Sequence, residues 1–470
     1  MAVMNTLATA LVGFASVVQG IKVQDGSNLI SDSVTYGPTL ELIHLYYDEF
    51  PTGMRIRIGS QISSNGCLGI AVSSTGRLFS NYPPGLDANN TNNGQNGKYT
   101  IAELFDDNTG KCDPIICINW ELNRIQRQAS FSHMLTPLMR SEKPYPSAEI
   151  NNPPGGSINY TTYPPTGANY QNYLIGCQSA VIDAQDRLWL LDTGRALTPN
   201  MTLVPASYGG PKLVGVDLSS NKVIQTIVFP VTVAYADSYL NDVRFDLRSD
   251  ITSSGKGVAY ITDSSAEGRN GIIIVDLGTG ESWRHLDRDP RVNPEQSWLA
   301  YNWGIPLYQI GTVPKFSHGL IGSDGIALSA DGSRLFWKPL TSRQLYSIPT
   351  ANLIAHDTYS EVLAQAAVND HGQTGLTDGM ETDTNNYIYH GNMEQDAVSY
   401  YDPATGTDNL FVRDPRLNWI DTFSVATDGY LYFTNNQLGF SPGFWPGTDR
   451  RQRPFSLWRA RLPNGGTKVT

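Results

Sequence analysis

Six times along this 470-residue chain a polar residue leads a short apolar strand, a turn built from Asp, Asn or Gly, and a second strand rich in aromatics. The six segments are Cys67–Tyr82, Cys177–Gly194, Asn241–Leu247 with Gly255–Ser264, Ser323–Leu340, Thr377–Asn392 and Ile420–Asn436. Each reads as two alternating strands joined by a tight turn, which is hairpin chemistry. Further strand patterns lie between them: Lys212–Leu218 with Val223–Phe229, Gly271–Leu277 with Glu281–Leu286, and Gln344–Thr350. A repeat unit therefore holds about four strands. Four-stranded sheets repeated radially make a propeller, which leaves only short, protected edges. The expectation is an all-β fold, a six-bladed β-propeller with four-stranded blades. All six units are needed to close a ring, so residues 21–470 are expected to form one domain. The two largest insertions fall between Cys67 and Cys177 and between Asp289 and Gly322.

Composition removes other classes. Only 16% of residues are charged and 10% are aromatic, the reverse of a disordered chain. The formal net charge is −11 and no Lys/Arg cluster forms a nucleic-acid footprint, so neither nucleic acid nor an anionic membrane surface is an expected partner. The sequence has no G-x-S-x-G elbow, no G-x-x-x-x-G-K-[ST] loop and no H-E-x-x-H helix, which leaves common serine hydrolases, nucleotide-driven enzymes and zincins without support.

The first 20 residues read as a secretion signal. Leu7–Val18 is uncharged and mostly apolar, too short for the ~20 residues of a membrane span, and small residues follow it. No membrane insertion is expected, and localisation is expected to be secreted or within a secretory lumen. Three sequons, at Asn89, Asn159 and Asn200, agree with that route. So do four cysteines, an even count. Cys112 and Cys117 flank a short turn and are expected to pair, leaving Cys67 with Cys177; buried free thiols are the alternative.

In a propeller the first strand of each blade lines the central channel. The repeated polar position places Leu68, Gln178, Asp242, Asp324, Asp378 and Asp421 around one mouth, with Asn241 beside them. Converging carboxylates suit a hard cation such as Ca²⁺, or they raise one another's pKa and serve as a general acid. Alternatively, each Asp simply caps a turn, as S-D-G and T-D-G sequences often do. A second group is aromatic: Tyr301 and Trp303 in the long loop before the fourth hairpin, Trp337 near a strand end, and Trp419 and Phe423 bracketing Asp421. Aromatic faces at a polar mouth would form a cleft for a flat ligand; the alternative is packing between blades. His318 and His371 precede Asp324 and Asp378 by six or seven residues and are proton-transfer candidates.

The segments Leu188–Arg195, Asn241–Leu247, Ala259–Ser264, Asn270–Leu286 and Gly325–Thr350 together resemble the yellow and major royal jelly protein family. The resemblance runs from about Cys67 to Leu462. It implies a secreted six-bladed propeller, and its functions vary: dopachrome-converting tautomerases, salivary amine binders and nutritive proteins in insects, hetero-Diels–Alderases of tropolonic sesquiterpenoid pathways in fungi. The loops, rich in Asn, Gly, Pro and Tyr, read as those of a fungal member. Related lactonase propellers place a Glu metal ligand in the first blade, where Cys67 and Leu68 stand here, so no metal and no cofactor is expected. The leading expectation is a hetero-Diels–Alderase of secondary metabolism, joining a tropolone-type quinone methide to a terpene alkene. His318, Asp324 and Asp378 would act as acid/base groups. Asn241, Thr377 and Asp421 would hydrogen-bond the quinone carbonyl, and Tyr301, Trp303, Trp337 and Phe423 would hold the two partners. The alternatives are a non-catalytic binder of amines or phenols, and a tautomerase or metal-dependent lactonase.

Overall fold

The computed structural model describes residues 36–46, 69–86, 90, 99–105, 141–310, 316–452 and 455–469. The expected signal segment, Asn89, Leu68 and three cysteines (Cys67, Cys112 and Cys117) lie outside them. Six four-stranded antiparallel sheets are present, one for each repeat. Their inner strands are Ala71–Val72, Cys177–Ile182, Leu240–Asp246, Ser323–Leu328, Met380–Thr382 and Ile420–Val425. These touch one another in ring order, the sixth returning to the first. The first five blades run consecutively outward. The sixth is completed by a strand from the other end of the chain: Leu40–Tyr46 pairs antiparallel with Phe455–Arg461, Leu40 opposite Ala460 and Tyr46 opposite Phe455.

Side chains alternate across a strand, and each blade is covered on both faces by its neighbours. The result is one apolar layer between each adjacent pair of blades. In the second blade Leu188 and Leu190 face the first blade, while Trp189 and Leu191 face the third. In the fourth, Leu335 and Trp337 face the third blade and Phe336 the fifth. Two-sided burial is why these strands read as nearly unbroken apolar runs.

A polar residue near the end of the second strand then fixes how the chain enters the inner strand. Asp192 accepts the backbone N–H groups of Ile175 (2.7 Å) and Gly176 (2.9 Å). Asp263 accepts that of Tyr239 at 2.9 Å, and Asn435 that of Asn418 at 2.7 Å. The clamped N–H of Ile175, Tyr239 and Asn418 each lies three residues before a ring position. In the fourth blade that position is Pro339, and the residue before it, Lys338, instead holds the entry to the fifth blade: its ammonium donates to the carbonyl of Gly375, three residues before Asp378, at 2.7 Å. Asp192 is itself fully buried and pairs with the equally buried Lys212 at 2.8 Å.

Cys177 is a free thiol, buried in the layer between the first and second blades, rather than half of the expected Cys67–Cys177 disulfide. Burial pushes its pKa well above the usual thiol range, which keeps it protonated and unreactive. Among the described residues no helix is long and apolar enough to cross a membrane.

Asp192→Ala strips the carboxylate from a buried lysine and leaves three buried N–H groups, of Ile175, Gly176 and Gly194, orphaned. The expected cost is about 3–5 kcal/mol, read from the midpoint of urea unfolding.

Candidate functional site

The ring positions share a local device. Four of the six inner strands slip register against their neighbour there: between Cys177 and Ser179, Leu240 and Val243, Ser323 and Ile326, and Ile420 and Phe423. The residues left out of the ladder are those of the polar ring. A bulge leaves a residue unpaired and re-aims its side chain. The glycines after Asp324 and Asp378 are contacts rather than turn residues. A Cβ on Gly325 would sit 2.2 Å from the carbonyl oxygen of Asp378, and one on Gly379 2.1 Å from that of Asp421. Only glycine lets consecutive inner strands come this close.

Asp242, Asp324, Asp378 and Asp421 are thereby buried together near the axis. Their partners are side chains, not the backbone amides of a turn cap. Trp419 Nε1 donates to Asp378 Oδ2 at 2.6 Å, and Asn436 Nδ2 to Asp421 Oδ2 at 2.7 Å. Thr422 donates to Asp421 Oδ1 at 2.9 Å, and Ser179 to Asp242 Oδ1 at 3.3 Å. The carboxyl of Asp378 lies within hydrogen-bond reach of both Asp324 and Asp421. Beside them, Tyr239 donates to Gln178 Oε1 at 2.8 Å, Gln178 Nε2 to Asn241 Oδ1 at 3.0 Å, and Asn241 Nδ2 to Ser264 at 3.0 Å.

Burial first, and then the neighbouring carboxylates, hold Asp324 and Asp421 well above the usual carboxylate range. Burial pushes Asp378 up to about 7, against the pull of the Trp419 N–H. Asp242 is raised by burial, with Arg244 opposing. Like charges this close cannot all ionise, so the cluster keeps protons at neutral pH. Among the described residues no group of three or more His, Cys, Asp or Glu is arranged to hold a metal ion.

Above Asp378 stands the rim. Strands Tyr301–Asn302 and Ile305–Pro306 form a hairpin whose turn residues, Trp303 and Gly304, both have positive φ, as a two-residue hairpin turn requires. Asn302 is buried and exchanges hydrogen bonds with Asn418 at 3.3 and 3.0 Å. The next residue, Trp419, packs with Leu340, Leu376, Met393 and Phe444 and reaches Asp378. Tyr301 (44% exposed) and Trp303 (50% exposed) face solvent, with Tyr308 and Trp445 exposed nearby in the chain segments that pair beneath them. Trp303 meets Phe440 edge-on at 5.9 Å.

The structure thus brings Asp324, Asp378 and Asp421 together, with Asn241 beside them and Tyr301 and Trp303 at the rim. Two expected walls of the cleft lie elsewhere. Trp337 is fully buried between the third and fourth blades, stacked on Tyr346 at 5.8 Å and donating to the carbonyl of Arg291 at 3.0 Å. Phe423 is buried between the fifth and sixth blades. Both point sideways because their strand positions face a neighbouring blade. Thr377 is buried and spends its hydroxyl on the carbonyl of Gly379 at 3.0 Å. His318 is half-buried in the loop before the fourth blade, its Nε2 buried and without a hydrogen-bond partner among the described residues, the carboxyls of Asp324 and Asp378 included. His371 sits on the outermost strand of the fourth blade, bonded to Ser347 and Tyr401 at 2.7 and 3.0 Å. Tyr239, Asn436 and Ser179 were absent from the sequence-level site. Their signal was position: each lies within a few residues of a ring position or of the clamp.

The family model described as Major royal jelly protein matches residues 175–462, more than half of the chain. Among curated proteins, Major royal jelly protein 7 of Apis mellifera is 27% identical over 226 residues, 48% of this chain and 46% of that protein. Major royal jelly protein 5 of the same species is 27% identical over 190 residues, 39% of this chain and 28% of its own length. The matched region spans less than half the length of either relative. Among solved structures, a luciferin-regenerating enzyme aligns at TM-score 0.44 and 8% identity over 92% of this chain and 97% of its own. A streptogramin B lyase aligns at 0.41 and 10% over 91% and 98%.

Trp337→Ala is expected to lower stability by about 3–5 kcal/mol, and Tyr301→Ala to change it by no more than about 0.5 kcal/mol, in paired urea titrations. Raised carboxyl pKa values make the folded state bind more protons than the unfolded one. The stability they contribute is complete below about pH 4 and declines as pH rises toward about 7. Asp378→Asn should flatten that part of a melting-temperature profile relative to the unaltered protein.

Proposed function

As the chain belongs to the major royal jelly protein family, we propose that it is a small-molecule enzyme of the yellow type that moves protons at the Asp324–Asp378–Asp421 mouth. The observation that carries this reading is the burial of three carboxyls in a row, Asp378 within reach of both Asp324 and Asp421, which pushes Asp378 up to about 7. A proton-transfer group works best with a pKa near the working pH. Asp378 is the member of the row that ionises near neutrality and supplies the base, while Asp324 or Asp421, held protonated, supplies the acid.

One reaction such a row serves is the loss of water from a hydroxymethyl phenol. The protonated neighbour, Asp324 or Asp421, gives its proton to the leaving hydroxyl, the C–O bond breaks and water departs. The Asp378 carboxylate takes the phenolic proton, and a quinone methide remains. Tyr301 and Trp303 would cover the ring of the phenol from the rim. The two-partner clamp expected of a hetero-Diels–Alderase has lost Trp337 and Phe423 to the core, so the proposal ends at the proton transfers. The same reading takes the chain through a secretory compartment with a glycan on Asn200, which is exposed in a loop, and on Asn159.

A second reading, an amine binder, is favoured by one feature. Among the described residues no Lys, Arg or His forms an ion pair with Asp324, Asp378 or Asp421, and a bound ammonium would supply the missing cation.

The test uses 2-hydroxybenzyl alcohol with a thiol trap for the quinone methide. The protein should accelerate thioether formation over buffer, with a pH dependence centred near 7, and Asp378→Asn should lower the rate at least 100-fold. Equal rates for the two proteins, or for protein and buffer, would overturn the reading. Saturable binding of benzylamine without turnover would put the amine binder in its place.

A further inference from the structure

At the mouth opposite the acid row, the far ends of the inner strands enclose a cavity of about 350 Å³, lined from all six blades. That is within the size range of small-molecule sites. Most of its acids are already occupied. Asp183 accepts the N–H groups of Gln185 and Arg187 and the Trp189 indole, and pairs with Arg187 at 2.7 Å. Asp246 takes Arg248 at 2.9 and 2.5 Å, and Asp331 takes Ser329 and Ser333.

The unused capacity is on the donor side. Arg244, 5% exposed, crosses from the third blade to the fifth, giving Nη1 to the carbonyl of Val243 at 2.7 Å and Nη2 to that of Met380. Its Nε is buried and has no partner among the described residues. Neither has the hydroxyl of Thr382, which lines the same cavity. The third donor is Lys468. Its segment is held across the mouth by a backbone bridge to Asp383 and by Thr467 bonding Thr384, while its ammonium donates to no described residue. Burial lowers its pKa, as expected for an ammonium with little solvent and no hydrogen-bonded anion. Orphaned buried donors are rare in folded proteins and mark a missing acceptor. Three carboxylates near Lys468 would oppose an incoming anion, and each is already engaged: Glu381 faces Arg244 Nη2 at 3.6 Å and takes the N–H of Thr382 at 2.9 Å, Asp186 takes the N–H and hydroxyl of Ser74, and Asp183 pairs with Arg187.

We propose that this second cavity binds a small organic carboxylate. Its oxygens would accept from Arg244 Nε, the Thr382 hydroxyl and the Lys468 ammonium. Its apolar body would lie against Ala180, Phe245, Leu328 and Val425. The site is separate from the acid row, and nothing in it depends on proton transfer there.

Calorimetric titration of the full chain with benzoate, benzamide and benzylamine at low salt tests it. Benzoate should bind saturably at one site and the other two at least tenfold more weakly. Lys468→Met removes one charge-assisted bond on a surface segment and should weaken benzoate binding about tenfold or more. Arg244→Met should abolish it; because Arg244 also ties two blades together, Lys468→Met carries the test if that variant fails to fold. Asp378→Asn should leave benzoate affinity unchanged. Absence of heat from millimolar benzoate, benzylamine binding as tightly as benzoate, or an unchanged affinity in Lys468→Met would each overturn the proposal. A loss of benzoate binding in Asp378→Asn would place the anion at the other mouth and overturn it as well.

Discussion

Six sheets set radially have no buried interior until the last meets the first, because each depends on two neighbours to cover its faces. Here the closure is made by pairing Leu40–Tyr46 against Phe455–Arg461, chain segments from opposite ends of the sequence. The guanidinium of Arg459 holds Glu41 across that pair at 2.6 Å, although a partly exposed ion pair adds little beside the ladder itself. With the ring closed, six apolar layers form together, and each strand places alternate residues into two of them. Closure also decides what faces the axis. The inner strands are forced so near one another that Gly325 and Gly379 have no room for a side chain.

That same crowding creates the chemistry. Equivalent positions at the start of the inner strands, four of them marked by bulges, turn polar residues toward a common axis, and four of these residues are aspartates. Separately, each would be an ordinary ionised side chain. Together and buried, they are relieved by keeping protons and by accepting donors from Trp419, Asn436, Thr422 and Ser179. The acid row is thus a product of ring geometry acting on a repeated sequence position. Repeats that differ at that position, such as Gln178 in the second blade, set where the charge falls. Family membership leaves that pattern open, which is how one propeller can host different activities.

Most of the architecture was legible because hairpins announce themselves locally. Apolar alternation, Asp/Asn/Gly turns and an aromatic second strand recur six times, and each recurrence became a blade. The polar ring was legible for the same reason, as a fixed offset in a repeat. The aromatic cleft was only partly legible. Tyr301 and Trp303 sit in a long insertion, which cannot be absorbed into a blade, and they reached the rim. Trp337 and Phe423 belong to strands covered on both faces, where an aromatic fills an interblade layer whatever its distance from the mouth. Cys177 misled for a related reason: an even cysteine count speaks of a compartment, while its own place in an inner strand made it a small apolar residue.

Periodicity of two and a repeated turn chemistry are local properties of the chain, and from them the all-β class, the blade count, the strands and the ring of acids followed. Which neighbours each side chain meets is not local. It required the closed ring to bring Asp378 between Asp324 and Asp421, to stretch Arg244 from the third blade to the fifth, and to lay Lys468 over the far mouth. Contacts between residues far apart in sequence are set by the register and spacing of whole sheets. The burial and mutual charge that move these pKa values exist only once those sheets have packed.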